Sequence, residues 1–358
     1  MLITTLLFIL LLGFLVLVHE WGHFFVARKF GVRVEEFAFG FPPRLASITR
    51  RGTRYALNLF PLGGYVRILG EGGEAESDPA SFSSRPVWQR FWIIAAGVGM
   101  NFVLAWLLFS FGHGLGLPTV VGDGDAGPGA RVTVIGLAPN SPAEAGGLRF
   151  GDAIRELGTA EETVAVAAID DVQRFIDRHR GETVRLEVQR GHEVVTIRAI
   201  PRASPPPGEG ALGIAMARVG TIRSPWWRAP WDGAKTTASA TVGITRALGG
   251  ALGDLISAGE VPTDLSGPVG IFVFADESRR LGTIYLLELA GVLSVNLALL
   301  NILPIPALDG GRILFLFLEG VRGVRVNARL EQMVHTIGFV LLLFLMAAIT
   351  YRDIVRIF

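Results

Sequence analysis

Two histidines stand four residues apart in the run His19-Glu20-Trp21-Gly22-His23. Four residues are slightly more than one helical turn, so on a helix both imidazoles project from one face and can bind one zinc ion. Glu20 lies beside them without having to coordinate, which leaves its carboxylate free to take a proton from water at the metal. The pattern indicates zinc-dependent hydrolysis, with His19 and His23 as ligands and Glu20 as general base.

The apolar surroundings of this motif argue for a metal. H-E-x-x-H occurs by chance in many proteins, and two histidines on a helix are commonly surface or core residues. Here the apolar run continues through residues 24–27, where an ionisable side chain costs several kcal/mol. A metal ion fixes the imidazoles and neutralises carboxylate charge, so the sequence favours zinc over an uncompensated polar cluster.

A catalytic zinc has three protein ligands and one open position, so a third ligand is required. The other polar cluster in an apolar part of the chain is residues 301–311, Asn-Ile-Leu-Pro-Ile-Pro-Ala-Leu-Asp-Gly-Gly. Its prolines interrupt the helix and its glycines allow close backbone approach, which makes Asp309 the candidate ligand. The Asn301 amide can hydrogen-bond an unwound substrate or an oxyanion. A hydrogen bond between helices is the alternative for Asn301.

Composition indicates that these residues lie in a membrane protein. Half of the 358 residues are hydrophobic, and the mean hydropathy is +0.47, too apolar for an ordinary soluble protein. About twenty helical residues cross a hydrocarbon core. The segments that meet this length are Leu2 to Ala27, Phe91 to Gly112, Leu281 to Leu303 and His335 to Tyr351. The first lacks a basic region before it and a cleavage site after it, so we predict a retained helix.

Charge predicts orientation and excludes some partners. Ten basic residues lie from Arg28 to Arg90, between the first two apolar segments, and none follows the second until Arg131. Because positive residues stay on the cytoplasmic side, the zinc site is predicted to face the cytoplasm, with the central region and both termini outside it. The net charge is +1 and cysteine is absent. Neither nucleic-acid binding, disulfides nor a cysteine metal site is therefore indicated.

Between the first two apolar segments, Tyr55 to Ile68 reads as two short strands around a turn containing Pro61, Gly63 and Gly64. Irregular backbone within a bilayer must be covered by protein or water, and we predict a re-entrant, membrane-associated β-hairpin. An ordinary surface hairpin is the alternative. Since an open strand edge can pair with an extended peptide, Gly63 and Gly64 are candidate substrate-binding positions.

The predicted organisation has four parts. Residues 1–112 hold the first two membrane helices, the histidine motif and the hairpin, and residues 281–358 hold the last two helices and Asp309. Residues 119–219 have the composition of an α/β module, with strands and a helix predicted at Arg131 to Leu137, Asp170 to His179, Thr183 to Gln189 and Glu193 to Ile200. Residues 226–280 form an interfacial segment, which begins with a tryptophan cluster and contains an amphipathic helix over Asp232 to Ala258.

Within the α/β module, Leu137 to Ile154 resembles the part of a PDZ domain where a short helix leads into a Gly-Asp turn and the next strand. The peptide-binding carboxylate loop of that family is not recognised. The predicted fold is therefore a polytopic α-helical membrane protein, with four transmembrane helices, a membrane-associated β-hairpin and an inserted PDZ-like α/β domain.

H-E-x-x-H in the first helix and N-x-x-P-x-P-x-L-D-G-G after the third together resemble the site-2 protease family, in particular its bacterial regulator of sigma-E protease type. The resemblance extends over nearly the whole chain and includes 266–271, Ser-Gly-Pro-Val-Gly-Ile. It implies a monomeric protease in the bacterial inner membrane that cleaves single-span proteins, such as anti-sigma factors or signal-peptide remnants. It also implies His19, His23 and Asp309 as Zn²⁺ ligands, Glu20 as base and Asn301 as a substrate-holding residue.

The family's G-x-x-x-N run is matched by Gly97 to Asn101, for which helix packing is the expected function. Only one PDZ-like module fits the chain, where some relatives have two; the resemblance implies that it filters substrates by size. A membrane scaffold or chaperone with a structural zinc is the alternative function, and Glu20 discriminates because a structural site has no use for a free carboxylate. A metal transporter would require polar residues along a path across the membrane, whereas here they lie at one depth.

Overall fold

The computed structural model describes residues 2–121, 129–191, 193–206, 208–258 and 267–357. They form two compact units, Met1–Phe111, Pro230–Ala275 and Leu287–Phe358 in the first and Gly112–Ala229 and Asp276–Leu286 in the second. In chain order the elements are α1 Leu2–Lys29, β1 Val34–Arg50, β2 Thr53–Ile68, α2 Val87–Leu115, β3 Leu117–Val120, β4 Arg131–Leu137, α3 Pro142–Ala145, β5 Ala153–Gly158, β6 Thr163–Ala165, α4 Ile169–Arg178, β7 Val184–Arg190, β8 Glu193–Ala199, β9 Ile214–Ile222, α5 Ala229–Ala258, α6 Pro268–Leu281, α7 Thr283–Ile302, α8 Asp309–Arg322 and α9 Ala328–Ile357.

Helices α1, α2, α7 and α9 confirm the four predicted membrane helices. Each is long and apolar enough to cross a membrane, by its length and composition. Helix α2 begins at Val87 and α9 at Ala328, several residues before the predicted starts. The boundaries differ because hydropathy detects the apolar core of a helix, whereas backbone hydrogen bonding continues into its polar ends.

A β-hairpin lies between α1 and α2, but its turn is not where the sequence predicted it. Strands β1 and β2 are joined at Arg51 and Gly52, whose φ angles are 50° and 79°. Two consecutive positive φ angles are typical of the two-residue turns that suit the twist of a hairpin. The predicted turn at Pro61, Gly63 and Gly64 is wrong, because these residues lie inside the single long strand β2.

The register of the hairpin explains this error. Residues 36–39 of β1 pair with 54–57 on one side and with 64–67 on the other, so they lie between the two halves of β2. The two halves therefore cannot pair with each other, as the sequence analysis assumed. Pairing with residues that stand 18 to 31 positions earlier leaves no local periodicity in the sequence. Among the described residues, 64–67 have no strand partner on their outer edge.

The hairpin packs along α1, the helix that carries the two histidines. A Cβ placed on Gly13 would lie 3.0 Å from both the Phe39 ring and the Pro61 carbonyl oxygen, so a glycine permits close contact. About three turns further along α1, the rings of Phe24 and Phe37 lie 5.2 Å apart. These contacts bring the outer edge of β2 beside Glu20.

The second unit is built on an antiparallel sheet in the order β3-β9-β4-β5-β7-β8, with β6 paired to β5. Its core contains Val134, Leu157, Phe175 and Val188, all fully buried. The bounds of β4, β7, β8 and α4 agree with the predicted ones to within one residue. Strands β3, β6 and β9 were not predicted.

Helix α5 confirms the helix predicted from Asp232 to Ala258, while its position at the membrane surface stays a prediction. Ser266 of the Ser-Gly-Pro-Val-Gly-Ile run lies outside the described residues. The rest of that run leads into α6, where the Asp353 carboxylate of α9 accepts a hydrogen bond of 2.9 Å from the Gly270 amide.

Candidate metal centre

Three side chains from opposite ends of the chain converge in the first unit. The Nε2 atoms of His19 and His23 lie 3.2 Å apart. Asp309 Oδ2 lies 3.0 Å from the His19 nitrogen and 3.3 Å from the His23 nitrogen. Both histidines are buried. The structure therefore places the three sequence-predicted ligands together, each offering one donor atom to a common point.

Glycines on α1 and α2 allow the two histidines to occupy this position. A Cβ on Gly22 would lie 2.3 Å from the Ala96 carbonyl oxygen, so the two helices approach closely. A Cβ on Gly97 would lie 2.3 Å from His23 Nε2 and 2.8 Å from His19 Cε1. Real Cβ atoms do not make such contacts, and any larger side chain at position 97 would displace the imidazoles.

The loop between α7 and α8 positions Asp309, which is the first residue of α8. A Cβ on Gly310 would lie 2.1 Å from the Leu303 carbonyl oxygen, and one on Gly311 would lie 2.5 Å from the Ile305 carbonyl oxygen. The Gly-Gly pair thus lets the start of α8 fold back onto the end of α7. This tight return directs the Asp309 carboxylate toward α1.

The outer nitrogens of the imidazoles are also engaged. His23 Nδ1 lies 2.9 Å from the Ile93 carbonyl oxygen, which accepts its proton and leaves Nε2 with a free electron pair. The side-chain amide of Asn101 lies 3.1 Å from His19 Nδ1. The oxygen and nitrogen of an amide are distinguished only by their hydrogen bonds. With the amide oxygen accepting from Nδ1, both Nε2 atoms are free to bind a metal.

Asn101 is a residue whose function the sequence analysis missed. Helix packing was its expected function, yet it is fully buried and its amide contacts the His19 imidazole. Ser294 of α7 donates a 2.8 Å hydrogen bond to its backbone carbonyl, which holds this turn of α2. The signal in the sequence was a lone amide in an apolar helix, a group that must find a partner inside the membrane.

The three donor atoms fit a zinc ion. Two Zn–N bonds of about 2.0–2.1 Å at a tetrahedral angle place their nitrogens about 3.3 Å apart, close to the separations of 3.0–3.3 Å found here. Asp309 Oδ2 is buried and accepts no hydrogen bond from the described residues. A carboxylate oxygen left in this state, opposite two imidazole nitrogens, matches the donor set of a catalytic zinc.

Glu20 projects next to this group but is not one of the three converging ligands. Its Oε2 accepts a 3.0 Å hydrogen bond from the Val66 amide, on the outer edge of β2. A Cβ on Gly64 would lie 3.9 Å from Glu20 Cγ. Gly64 is therefore beside Glu20, whereas a Cβ on Gly63 would contact the Phe41 ring and Val16.

Asn301 lies in the last turn of α7 and is partly exposed. Its amide forms no hydrogen bond with any residue that the structure describes. The alternative considered for it, a hydrogen bond between helices, is therefore not seen in the described part of the chain, and its amide is available to a ligand.

Comparison with known sequences identifies the family. A profile of peptidase family M50 matches residues 7–345. The chain belongs to peptidase family M50. A zinc metalloprotease named RasP from Shouchella clausii is 30% identical over an alignment that covers 99% of each chain. The regulator of sigma-W protease RasP of Bacillus subtilis is 29% identical, also over 99% of each chain. A provisionally named zinc metalloprotease of Clostridium acetobutylicum is 31% identical over 97% of this chain and 96% of its own.

This M50 peptidase is a zinc metalloprotease of the site-2 protease type and a multi-pass membrane protein, as its sequence predicted. The alignment with the Bacillus protein spans 436 positions, more than the 358 residues of this chain. The Bacillus protein therefore contains insertions that this chain lacks. Because the family consists of proteases, membership in it argues against the alternative function, a non-enzymatic membrane scaffold or chaperone.

Proposed function

We propose that this M50 peptidase hydrolyses peptide bonds within or near the transmembrane segment of single-span membrane proteins. The observation that carries the proposal is the convergence of His19, His23 and Asp309 within an apolar helix bundle, beside the free edge of a β-strand. Anti-sigma factors and signal-peptide remnants are the substrate classes we propose. The name of the Bacillus relative, a regulator of sigma-W protease, supports the first class.

In the proposed mechanism His19, His23 and Asp309 hold zinc. When bound there, the metal supplies Lewis acidity that polarises a peptide carbonyl and lowers the pKa of water. Glu20 takes the proton from the attacking water and delivers it to the leaving nitrogen. The Val66 amide keeps the Glu20 carboxylate aimed at the site. Asn101 and the Ile93 carbonyl keep each imidazole in the orientation that exposes Nε2.

The substrate must be extended, because a helix keeps its carbonyls in internal hydrogen bonds. The outer edge of β2 at residues 64–67 has no strand partner among the described residues and lies directly beside Glu20, whose carboxylate accepts a hydrogen bond from the Val66 amide. An unwound segment that pairs with this edge would pass between the hairpin and the metal centre. Gly64 would permit close approach of that segment, and Asn301 would hold it from α7. Gly63 precedes this edge, and a Cβ there would meet Phe41 and Val16; it stays a proposed substrate-binding position next to Gly64.

We propose that the hairpin enters the bilayer from the cytoplasmic side. It exposes a set of large apolar side chains that water would not tolerate as a group, Phe41, Leu45, Ile48, Leu57, Leu59 and Phe60. The arginines and lysines between α1 and α2 support this orientation. In this orientation the second unit and both termini lie outside the cytoplasm. We propose that the protein is located in a bacterial inner membrane and acts as a monomer.

The second unit is proposed to be the PDZ-like domain. We propose that the chain has four functional parts, which are residues 1–112, 119–219, 226–280 and 281–358. A cavity of about 290 Å³ lies between α4 and the start of β9. Apolar side chains line it, among them Val172, Ile176, Leu212 and Ile214. A groove between a helix and a strand suits an extended peptide. We propose that this domain admits only substrates that another protease has already shortened.

The test is to co-express the full chain with a tagged single-span substrate and to measure both cleavage and zinc content. Glu20→Gln should lower cleavage by about 10²–10⁴-fold with zinc retained, because the base is lost and the ligands are kept. Asp309→Asn should lose both. The control is Glu288→Gln, since this carboxylate of α7 lies about 20 Å along the helix from Asn301. Cleavage that survives Glu20→Gln would overturn the mechanism.

A further inference from the structure

Helix α9 contacts the loop that carries Asp309. The Ala307 amide donates a 2.8 Å hydrogen bond to His335 Nδ1. Three residues further along α9, a Cβ on Gly338 would lie 2.3 Å from Pro306 Cβ and 2.8 Å from the Pro306 carbonyl oxygen. Positions three apart lie on one face of a helix. One face of α9 thus contacts Pro306 and Ala307, the two residues just before Leu308 and Asp309.

The conformation of this loop requires outside support. Ala307 has a φ angle of 78°, a left-handed conformation that a Cβ disfavours. Leu308 occupies the N-cap position of α8 and provides no side-chain hydrogen bond to its first turn. Helices are normally begun by a polar capping residue. Here the geometry that directs the Asp309 carboxylate is not maintained by local capping.

The imidazole of His335 supplies an acceptor that packing alone would not need. Because Nδ1 accepts from Ala307, the neutral ring carries its hydrogen on Nε2. That nitrogen is buried and has no partner among the described residues. Burying an unpaired donor is unfavourable. An apolar side chain would fill this position on the wall of a 410 Å³ cavity without that cost, so the hydrogen bond to Ala307 is the contribution specific to histidine.

We propose that His335 is a positioning residue of the metal centre, which holds Ala307 in its left-handed conformation and so keeps Asp309 within reach of His19 and His23. The inference rests on the proposed function, in which Asp309 is a zinc ligand. Helix α9 contributes no proposed zinc ligand, but through His335 it would keep the third ligand, Asp309, in place.

The experiment measures zinc affinity by chelator competition on the purified full chain, together with kcat and KM for a tagged single-span substrate. His335→Leu removes the acceptor, and His335→Gln moves it one bond further from the backbone. Both should weaken zinc binding about tenfold, the usual scale for groups that orient a ligand, and lower kcat more than KM changes. His335→Asn places its amide oxygen near the position of Nδ1 and should restore affinity close to wild type.

Thr336→Val is the matched control, because Thr336 lines the same cavity but, within the described part of the chain, hydrogen-bonds only to the Gln332 carbonyl of its own helix. It should leave zinc affinity unchanged. If His335→Leu and His335→Asn both bind zinc like the wild type, or if Asn fails to restore what Leu loses, the proposal is overturned. Asp309→Asn separates this failure from that of the proposed function, since retention of zinc in that variant would remove Asp309 itself from the site.

Discussion

Two aspartates with buried carboxylate oxygens, one in each unit, show how a structural carboxylate differs from one that awaits a ligand. Asp152 in the second unit is fully buried. Arg190 donates to both of its oxygens, at 2.8 and 2.7 Å, and the Arg149 amide adds a bond of 2.9 Å. Asp309 Oδ2 instead faces two imidazole nitrogens and accepts no hydrogen bond from the described residues.

Burial of a carboxylate oxygen therefore does not by itself mark a functional group. Burying a charge is costly, and Asp152 is compensated by a bidentate guanidinium within its own unit. Nothing further is needed there. Asp309 and the two imidazoles that face it are electron-pair donors that together can bind a cation.

The largest effect is expected where the satisfied carboxylate is broken. Arg190→Leu would leave the buried charge of Asp152 without its main partner, and the free energy of unfolding of the second unit should fall by about 3–5 kcal/mol. Hydrogen exchange of β5 and β7 amides in the full chain measures this loss. Zinc content should not change. A variant in which the protection of these strands stays at the wild-type level would contradict the assignment of Asp152 as a structural group.

At the metal centre, Gly97→Ala should weaken zinc binding and cleavage by about a hundredfold or more, since displacing a reacting group by about 1 Å costs that much. The reason is the Cβ that would lie 2.3 Å from His23 Nε2. Gly99→Ala is the control, because a Cβ there meets nothing within 4 Å. Zinc titration of both variants measures the difference, and equal affinities would refute the proposed position of the imidazoles.

A smaller loss of zinc affinity is expected at Asn101, which contacts the ligand His19 and not the metal position itself. Asn101→Leu keeps the volume of the side chain but removes the hydrogen bond to His19, and zinc affinity should fall about 10–100-fold. Ser294→Ala tests the backbone contact of Asn101 separately, since it removes a bond to the carbonyl and leaves the amide in place. Chelator competition distinguishes the two variants. If both lose affinity equally, Asn101 contributes through packing, as its sequence suggested.

The smallest effect concerns a surface group of the second unit. His179 hydrogen-bonds to Glu182 at 2.8 Å and Glu162 at 2.9 Å, and these bonds raise its pKa above 6.5. A raised pKa in the folded state means that this contribution to stability is complete at pH values below 6.5 and is lost as the pH rises through the higher value. NMR titration of His179 measures the shift, which Glu162→Gln with Glu182→Gln should abolish. An unshifted His179 in the wild type would rule out the interaction.

The second unit was the easier part to predict, for a physical reason. The alternating burial of β4, β7 and β8 and the amphipathic helix α4 are local patterns, and their bounds agree with the sequence to within one residue. Strand β9 was not predicted from the sequence, because it follows a proline-rich stretch and pairs with β3 and β4, which come from the other end of the module. Such pairings depend on contacts between distant residues, which no short window contains.

The four apolar helices and the pair of imidazoles on α1 could be predicted from the sequence, because hydropathy and helical spacing are properties of neighbouring residues. It also singled out Asp309 as the carboxylate of the second polar cluster in an apolar part of the chain, beside prolines and glycines. Three contacts became visible only in the folded chain: strand β1 lies between the halves of β2, Asn101 bonds to His19, and the Ala307 amide donates to His335. These are contacts between groups dozens of residues apart, and their partners are selected by packing geometry rather than by local pattern.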